Sequence, residues 1–182
     1  MFFRLFGKKN NNKAIVARQY DLLTKAARQP AFYASMGVPD TVMGRFEMLT
    51  VVLILYFRRT AASDRSGQEI AQEIIDYFFE DLDHSFRELG IGDLGVPKRV
   101  KKFARMYYGR LESYAGALDA GDVEALRQSL RRNVRPDEQD APDMAALAAY
   151  MMKAEADLKS VTEDTIAEGG AVLRDAAADL ET

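Results

Sequence analysis

Gly37-Val38-Pro39-Asp40-Thr41-Val42-Met43-Gly44-Arg45-Phe46-Glu47-Met48 runs directly into Leu49-Thr50-Val51-Val52-Leu53-Ile54-Leu55-Tyr56-Phe57, the most hydrophobic segment of this 182-residue chain. The first part reads as a turn and a helix start. Pro39 is unfavourable inside a helix, and Asp40 is a good N-cap for the free amides of a first turn. From Val42 onward nearly every helical face is apolar, the pattern of a helix buried on most sides. Glu47, Thr50 and Arg58, with Ile54 between them, fall on one narrow stripe. A membrane span needs about 20 apolar residues, whereas a run of about 10–14 more often marks a core helix. The run here is bounded by Glu47 and Arg58, so it reads as core.

Working outward, the length suits one domain with a substantial core. There is no Cys, which excludes disulfide scaffolds, thiolate metal sites and cysteine nucleophiles together. The net charge of -3 hides a gradient: residues 1–29 carry seven Lys/Arg against one Asp, and residues 119–182 carry seven against fifteen Asp/Glu. A basic head can approach an anionic surface while an acidic tail keeps the chain soluble. Met1-Phe2-Phe3-Arg4-Leu5-Phe6-Gly7-Lys8-Lys9 mixes aromatics with cations and lacks a signal-peptide core, so a weak interfacial membrane contact is one reading of it.

Asn10-Asn11-Asn12 reads as a linker. Ile15/Val16, Tyr20, Leu23 and Ala26/Ala27 then recur at helical spacing, and Pro30 stops that helix. Beyond the central helix, Ser66-Gly67-Gln68-Glu69 fits a capping box starting a helix to about Leu89. Its outer face carries Glu69, Glu73, Asp76, Glu80, Asp83 and Arg87, a self-repelling file. The basic file Lys98, Lys101/Lys102 and Arg105 on the next helix is the expected partner. Gly90 reads as a C-cap and Pro97 as a first-turn residue. A helix follows over about 123–133. The last one is expected from near Asp143 to Gly169-Gly170, with the Ala- and Asp-rich remainder frayed. No period-two pattern persists. The expected fold is all-α, a single-domain bundle of about six to seven helices around the central one at about 41–59. A flexible basic N-terminus (1–12), the bundle (13–168) and an acidic tail (169–182) complete the organisation.

Catalytic signals are weak. Gly90, Gly92 and Gly95 match G-x-G-x-x-G, but a helix precedes them where a dinucleotide fold needs a strand. A carboxylate-bridged metal site in a bundle uses two Glu-x-x-His motifs, and this chain has a single His, His84, four residues after Glu80. No catalytic, cofactor or metal residues are assigned. A carboxylate-rich metalloprotein and a ribosome- or RNA-associated module remain the alternatives. The latter rests on the basic head and on Lys98 to Arg105 beside Tyr107 and Tyr108.

Several stretches together resemble the ubiquinol–cytochrome c chaperone family: Arg28-Gln29-Pro30-Ala31-Phe32-Tyr33, then Gly37 to Thr41 and Gly44 to Glu47, then Asp76 to Asp83, Arg87 to Asp93, Val96-Pro97-Lys98 and Tyr108-Gly109-Arg110. The resemblance is strongest over residues 20–118. It implies a non-enzymatic factor, without cofactor, that binds newly made cytochrome b during assembly of ubiquinol–cytochrome c reductase. It also implies the ribosome or a small helical protein as further partners, and a cytoplasmic location peripheral to the inner membrane. The motif positions it marks as partner-binding or structural are Gly37, Val38, Pro39, Asp40, Gly44, Arg45, Phe46, Glu47, Asp81, Arg87, Glu88, Gly92, Asp93, Lys98, Gly109 and Arg110.

Overall fold

The apolar run forms the axis of the molecule. A computed structural model describes residues 3–136 and 140–179, with side chains described from Asn12 to Ala178. Helix α1 (Phe3–Ala27) and the single-turn α2 (Pro30–Ala34) lead into the axial helix α3 (Val42–Thr60). The bundle continues with α4 (Arg65–Glu88), α5 (Val96–Ala120), α6 (Val123–Val134), α7 (Ala145–Lys159) and the short α8 (Glu163–Ala167). A 3-10 turn at Ala177–Asp179 follows, and no strand occurs among the described residues. The fold is all-α, with six long helices and two of five residues.

Helix α3 packs against α1, α4, α5, α6 and α7, which explains why its sequence is apolar all round. Met48 and Val51 through Tyr56 are completely buried. Each such aliphatic side chain contributes about 1.5–3 kcal/mol through removal from water. Its polar C-terminus ties down three other elements. Arg58 donates from Nε to Glu155 on α7 at 2.6 Å and from Nη2 to Asp119 on α5 at 2.7 Å. Arg59 reaches Glu163 at 2.6 Å and the Val161 carbonyl at 2.7 Å. No helix among the described residues is long and apolar enough to cross a membrane.

Local structure departs from the sequence reading in several places. Thr41, not Asp40, caps α3: its hydroxyl accepts from the Gly44 amide at 3.1 Å, leaving Asp40 to pair with Arg45. Asp64, not Ser66, caps α4, accepting from Gly67 N at 3.0 Å, while Glu69 turns to Arg65. The backbone of Asn10–Asn12 is helical and continuous with α1 rather than a linker, and Asn12 donates to Glu73. The long C-terminal helix is two helices, because Val161 O is engaged by Arg59 and Thr162 caps a new start at Thr165 N.

The segment after Gly169 is also ordered against the bundle. Ala171, Leu173 and Ala176 are buried, and two glutamines hold the strap by their amides. Gln19 donates to Ala171 O at 2.8 Å and accepts from Ala171 N at 2.9 Å. Gln29 donates to Arg174 O at 3.1 Å and accepts from Ala176 N at 2.6 Å. The side chains of residues 1–11, on which the N-terminal lipid contact was expected, lie outside the described ones.

Candidate functional site

Much of the marked sequence converges on one end of the bundle, where the start of α3 meets the second half of α4 and the first half of α5. Aromatic rings join the three. Phe46 lies 4.6 Å from Phe103 and 6.3 Å from Phe78, and Phe103 lies 5.1 Å from Phe86. Phe78 in turn contacts Tyr107. Offset and edge-to-face pairs of this kind add to the burial energy and fix the angle between helices.

Within this packing sits one ion pair. Arg110 on α5 donates from Nε and Nη2 to the two carboxylate oxygens of Glu47 on α3, at 2.6 and 2.5 Å. Its third nitrogen donates to Met106 O at 3.1 Å. The Glu47 side chain is 2% exposed and that of Arg110 11%. Burial pushes the Glu47 carboxyl above its ordinary range, and the Arg110 guanidinium pulls against that shift. On the same stripe of α3, the Thr50 hydroxyl is buried without a hydrogen-bond partner.

The approach to α3 is equally constrained. Gly37 adopts φ 77°, and its carbonyl accepts from Arg135 Nε at 2.7 Å. A Cβ on Gly44 would lie 1.8 Å from Pro39 O, so only glycine permits this loop to cross the helix start. Val38 and Phe46 are buried. Asp81 accepts from Tyr20 OH at 3.0 Å, clamping α4 to α1. Burial first, and Asp81 second, raise the Tyr20 phenol far above its usual range. Gly37, Val38, Pro39, Gly44, Phe46, Glu47, Asp81 and Arg110 are thus parts of the framework.

The remaining marked residues are exposed. Arg45 pairs with Asp40 at 2.8 Å, and Arg87 bridges Asp83 and Asp93 across the α4–α5 turn. The Arg45 and Arg87 guanidiniums hold the Asp40 and Asp83 carboxyls below the ordinary range. Glu88 and Lys98 are exposed, and among the described residues neither makes an ion pair. Gly92 and Gly109 have open space where a Cβ would go. Nothing inside the fold requires a glycine at 109, in the middle of a helix.

Beside Tyr108 the surface is apolar. A groove of about 300 Å³ runs between α3, α4 and α5, walled by Phe57, Ala71, Ile75, Tyr107, Tyr108 and Leu111. Tyr108 at its lip is 56% exposed. Val42, Met43, Leu89 and Leu94 are further exposed apolar side chains, at the start of α3 and around the α4–α5 turn. Leu89 is exposed because the helix stops at Glu88 and Gly90 at φ 78° turns the chain away. No sequence signal marks the groove, since half-buried residues share the spacing of core ones.

The expected offset between the acidic file of α4 and the basic file of α5 does not occur: among the described residues no ion pair joins them. The acids are engaged elsewhere, Glu73 with Asn12, Glu69 with Arg65, Asp83 with Arg87 and Asp76 with Gln72. Tyr107, half of the aromatic pair that supported nucleic-acid binding, is 2% exposed. Among the described residues no group of three or more His, Asp or Glu is placed to hold a metal ion.

Comparison with known proteins agrees with this architecture. The family model described as "Ubiquinol-cytochrome C chaperone" matches residues 34–173. A solved structure, "Crystal structure of the Cbp3 homolog from Brucella abortus", is 46% identical. The alignment covers 97% of this chain and 98% of that one, with a TM-score of 0.87. No curated protein matches the chain significantly. Chaperones of this family act on a client protein. The chain belongs to the ubiquinol–cytochrome c chaperone family.

Proposed function

We propose that this protein is a non-enzymatic assembly chaperone that binds newly synthesised cytochrome b and assists maturation of ubiquinol–cytochrome c reductase. The observation that carries the reading is the family match over most of the chain. The groove beside Tyr108 gives it a physical basis, and the exposed Gly109 on another face of α5 offers a second place of close approach. A membrane-protein client exposes apolar helices before assembly, and an amphipathic or apolar helix docks by laying one face into such a groove. An open helical glycine lets a second backbone approach closely, as small residues do wherever helices pack tightly. The groove's own polar rim is Thr60, Gln68 and Gln72, uncharged groups that suit an apolar client.

The test is deletion of the gene, with haem-b spectra and ubiquinol–cytochrome c reductase activity as readouts. Both are expected to fall and to return with the wild-type gene. Normal cytochrome b and normal activity in the deletion strain would remove the proposal. Photo-crosslinking from Gln72 at the groove wall is expected to trap cytochrome b segments.

A further inference from the structure

We propose that the outer stripe of α5, together with the α4–α5 turn, docks this protein onto an anionic lipid surface. Lys98, Arg99, Lys101, Lys102 and Arg105 place five cations within eight residues. All five are exposed, and among the described residues none has an ion-pair partner. By contrast, the arginines at 45, 58, 59, 65, 87 and 110 are all paired with carboxylates. The nearest supply of carboxylate, the acidic file of α4, is engaged with α1 and with α4 itself.

Spacing places three of these charges on one stripe. Leu94, Lys98, Lys101, Arg105 and Tyr108 follow one another at steps of four, three, four and three, so they form a single stripe about 21 Å long. The turn before α5 continues the helical winding, with Gly95 N and Val96 N both donating to Gly92 O. Leu94, at the head of the stripe, is 99% exposed, and Leu89 across the turn is 67% exposed. Tyr108 closes the stripe with a half-exposed ring.

Cations in the middle and apolar or aromatic side chains at the ends fit the interface of a bilayer. Lysine and arginine meet anionic headgroups, leucine enters the acyl boundary, and tyrosine sits at headgroup depth. The same cations would also attract RNA phosphates. A fully exposed leucine gains nothing there, and the stacking surface that single-stranded RNA needs is reduced because Tyr107 points into the core. Lipid is therefore the better match. The inference does not rest on the identity of the client.

The full chain is sedimented with vesicles of phosphatidylcholine alone and of phosphatidylcholine mixed with phosphatidylglycerol. Binding to the anionic vesicles only, weakened by salt, is expected. A cation near such a surface is worth roughly a factor of five, so Lys98→Gln/Lys101→Gln/Arg105→Gln should weaken binding about a hundredfold. Leu94→Ser changes no charge and should weaken it about tenfold, by the lost burial of one leucine. All these side chains are exposed, so thermal melts should match wild type. The proposal is overturned if anionic vesicles do not bind or if either variant binds as well as wild type. It also falls if the chain binds single-stranded RNA while ignoring vesicles. A contact made by residues 1–9 would survive both variants, which separates that source from this one.

Discussion

Glu47 and Arg110, 63 residues apart on α3 and α5, meet in a two-pronged ion pair inside the aromatic end of the bundle. The pair joins the first turns of α3 to the middle of α5. Removing one partner strands the other charge in a dry site, which costs about 3–5 kcal/mol. Glu47→Ala and Arg110→Ala are each expected to lose stability on that scale in denaturant unfolding. Replacing both by apolar residues of similar volume, Glu47→Leu with Arg110→Met, should recover most of the loss. A double variant as unstable as the two single losses added together would show that the pair does more than neutralise itself.

Two glycines of the marked sequence should behave in opposite ways. At Gly44 a methyl group would collide with the Pro39 carbonyl, so Gly44→Ala must open the loop into α3. It is expected to cost about 3 kcal/mol, the upper end of overpacking penalties. At Gly109 the space is open, and Gly109→Ala should stabilise α5 by about 0.5–1 kcal/mol through the ordinary helix preference. If a client helix approaches at this position, the same change lowers cytochrome b recovered by crosslinking while the melting temperature rises. Unchanged capture would place the client elsewhere on the surface.

The sequence carried the helices well because their signals are local. The apolar run from Met48, the stop at Pro30 and the C-cap at Gly90 each depend on neighbours within a turn. Glu47 and Arg110 were both visible as marked residues, but nothing in their spacing says that they touch. Cap identity was misread where two candidates stood side by side, Asp40 beside Thr41 and Asp64 beside Ser66, since the outcome depends on which carboxylate a distant or neighbouring group engages. The free cations of α5 were hidden for the same reason. Of their expected partners on α4, Glu73 bonds Asn12 of α1, and Glu69, Asp76 and Asp83 bond within α4.

Acid should weaken the fold with a defined sign. The carboxyls of Asp40, Asp64, Asp83, Asp119, Glu124 and Glu163 are lowered by hydrogen bonds to arginines or to helix-start amides. Each contributes stability that is present above its unfolded value, 3.8 for Asp and 4.5 for Glu, and is lost as pH falls through the lower folded value. Glu47 is raised by burial, so its contribution runs the other way, favouring the fold at low pH and fading as pH rises through its folded value. The melting temperature is therefore expected to fall below about pH 4.5. Glu163→Gln should make that acid limb shallower. The Glu47→Leu/Arg110→Met pair should make it steeper, because it removes the one shift that opposes the loss.

The C-terminal strap offers a test that the composition of the tail would not suggest. Its Ala- and Asp-rich sequence has no helical or strand periodicity, yet the fully buried Gln19 satisfies both the amide and the carbonyl of Ala171. Gln19→Ala leaves both backbone groups buried without partners, at about 1–3 kcal/mol each. Gln19→Glu keeps the acceptor but puts a carboxylate against a carbonyl oxygen, and should be no better. Amide exchange of Ala171 and Ala176 reads the strap directly. In wild type both should exchange far more slowly than exposed loop amides, and in Gln19→Ala the Ala171 amide should lose its protection first. Equal, rapid exchange at both positions in the wild-type protein would show that the strap is not held by these glutamines.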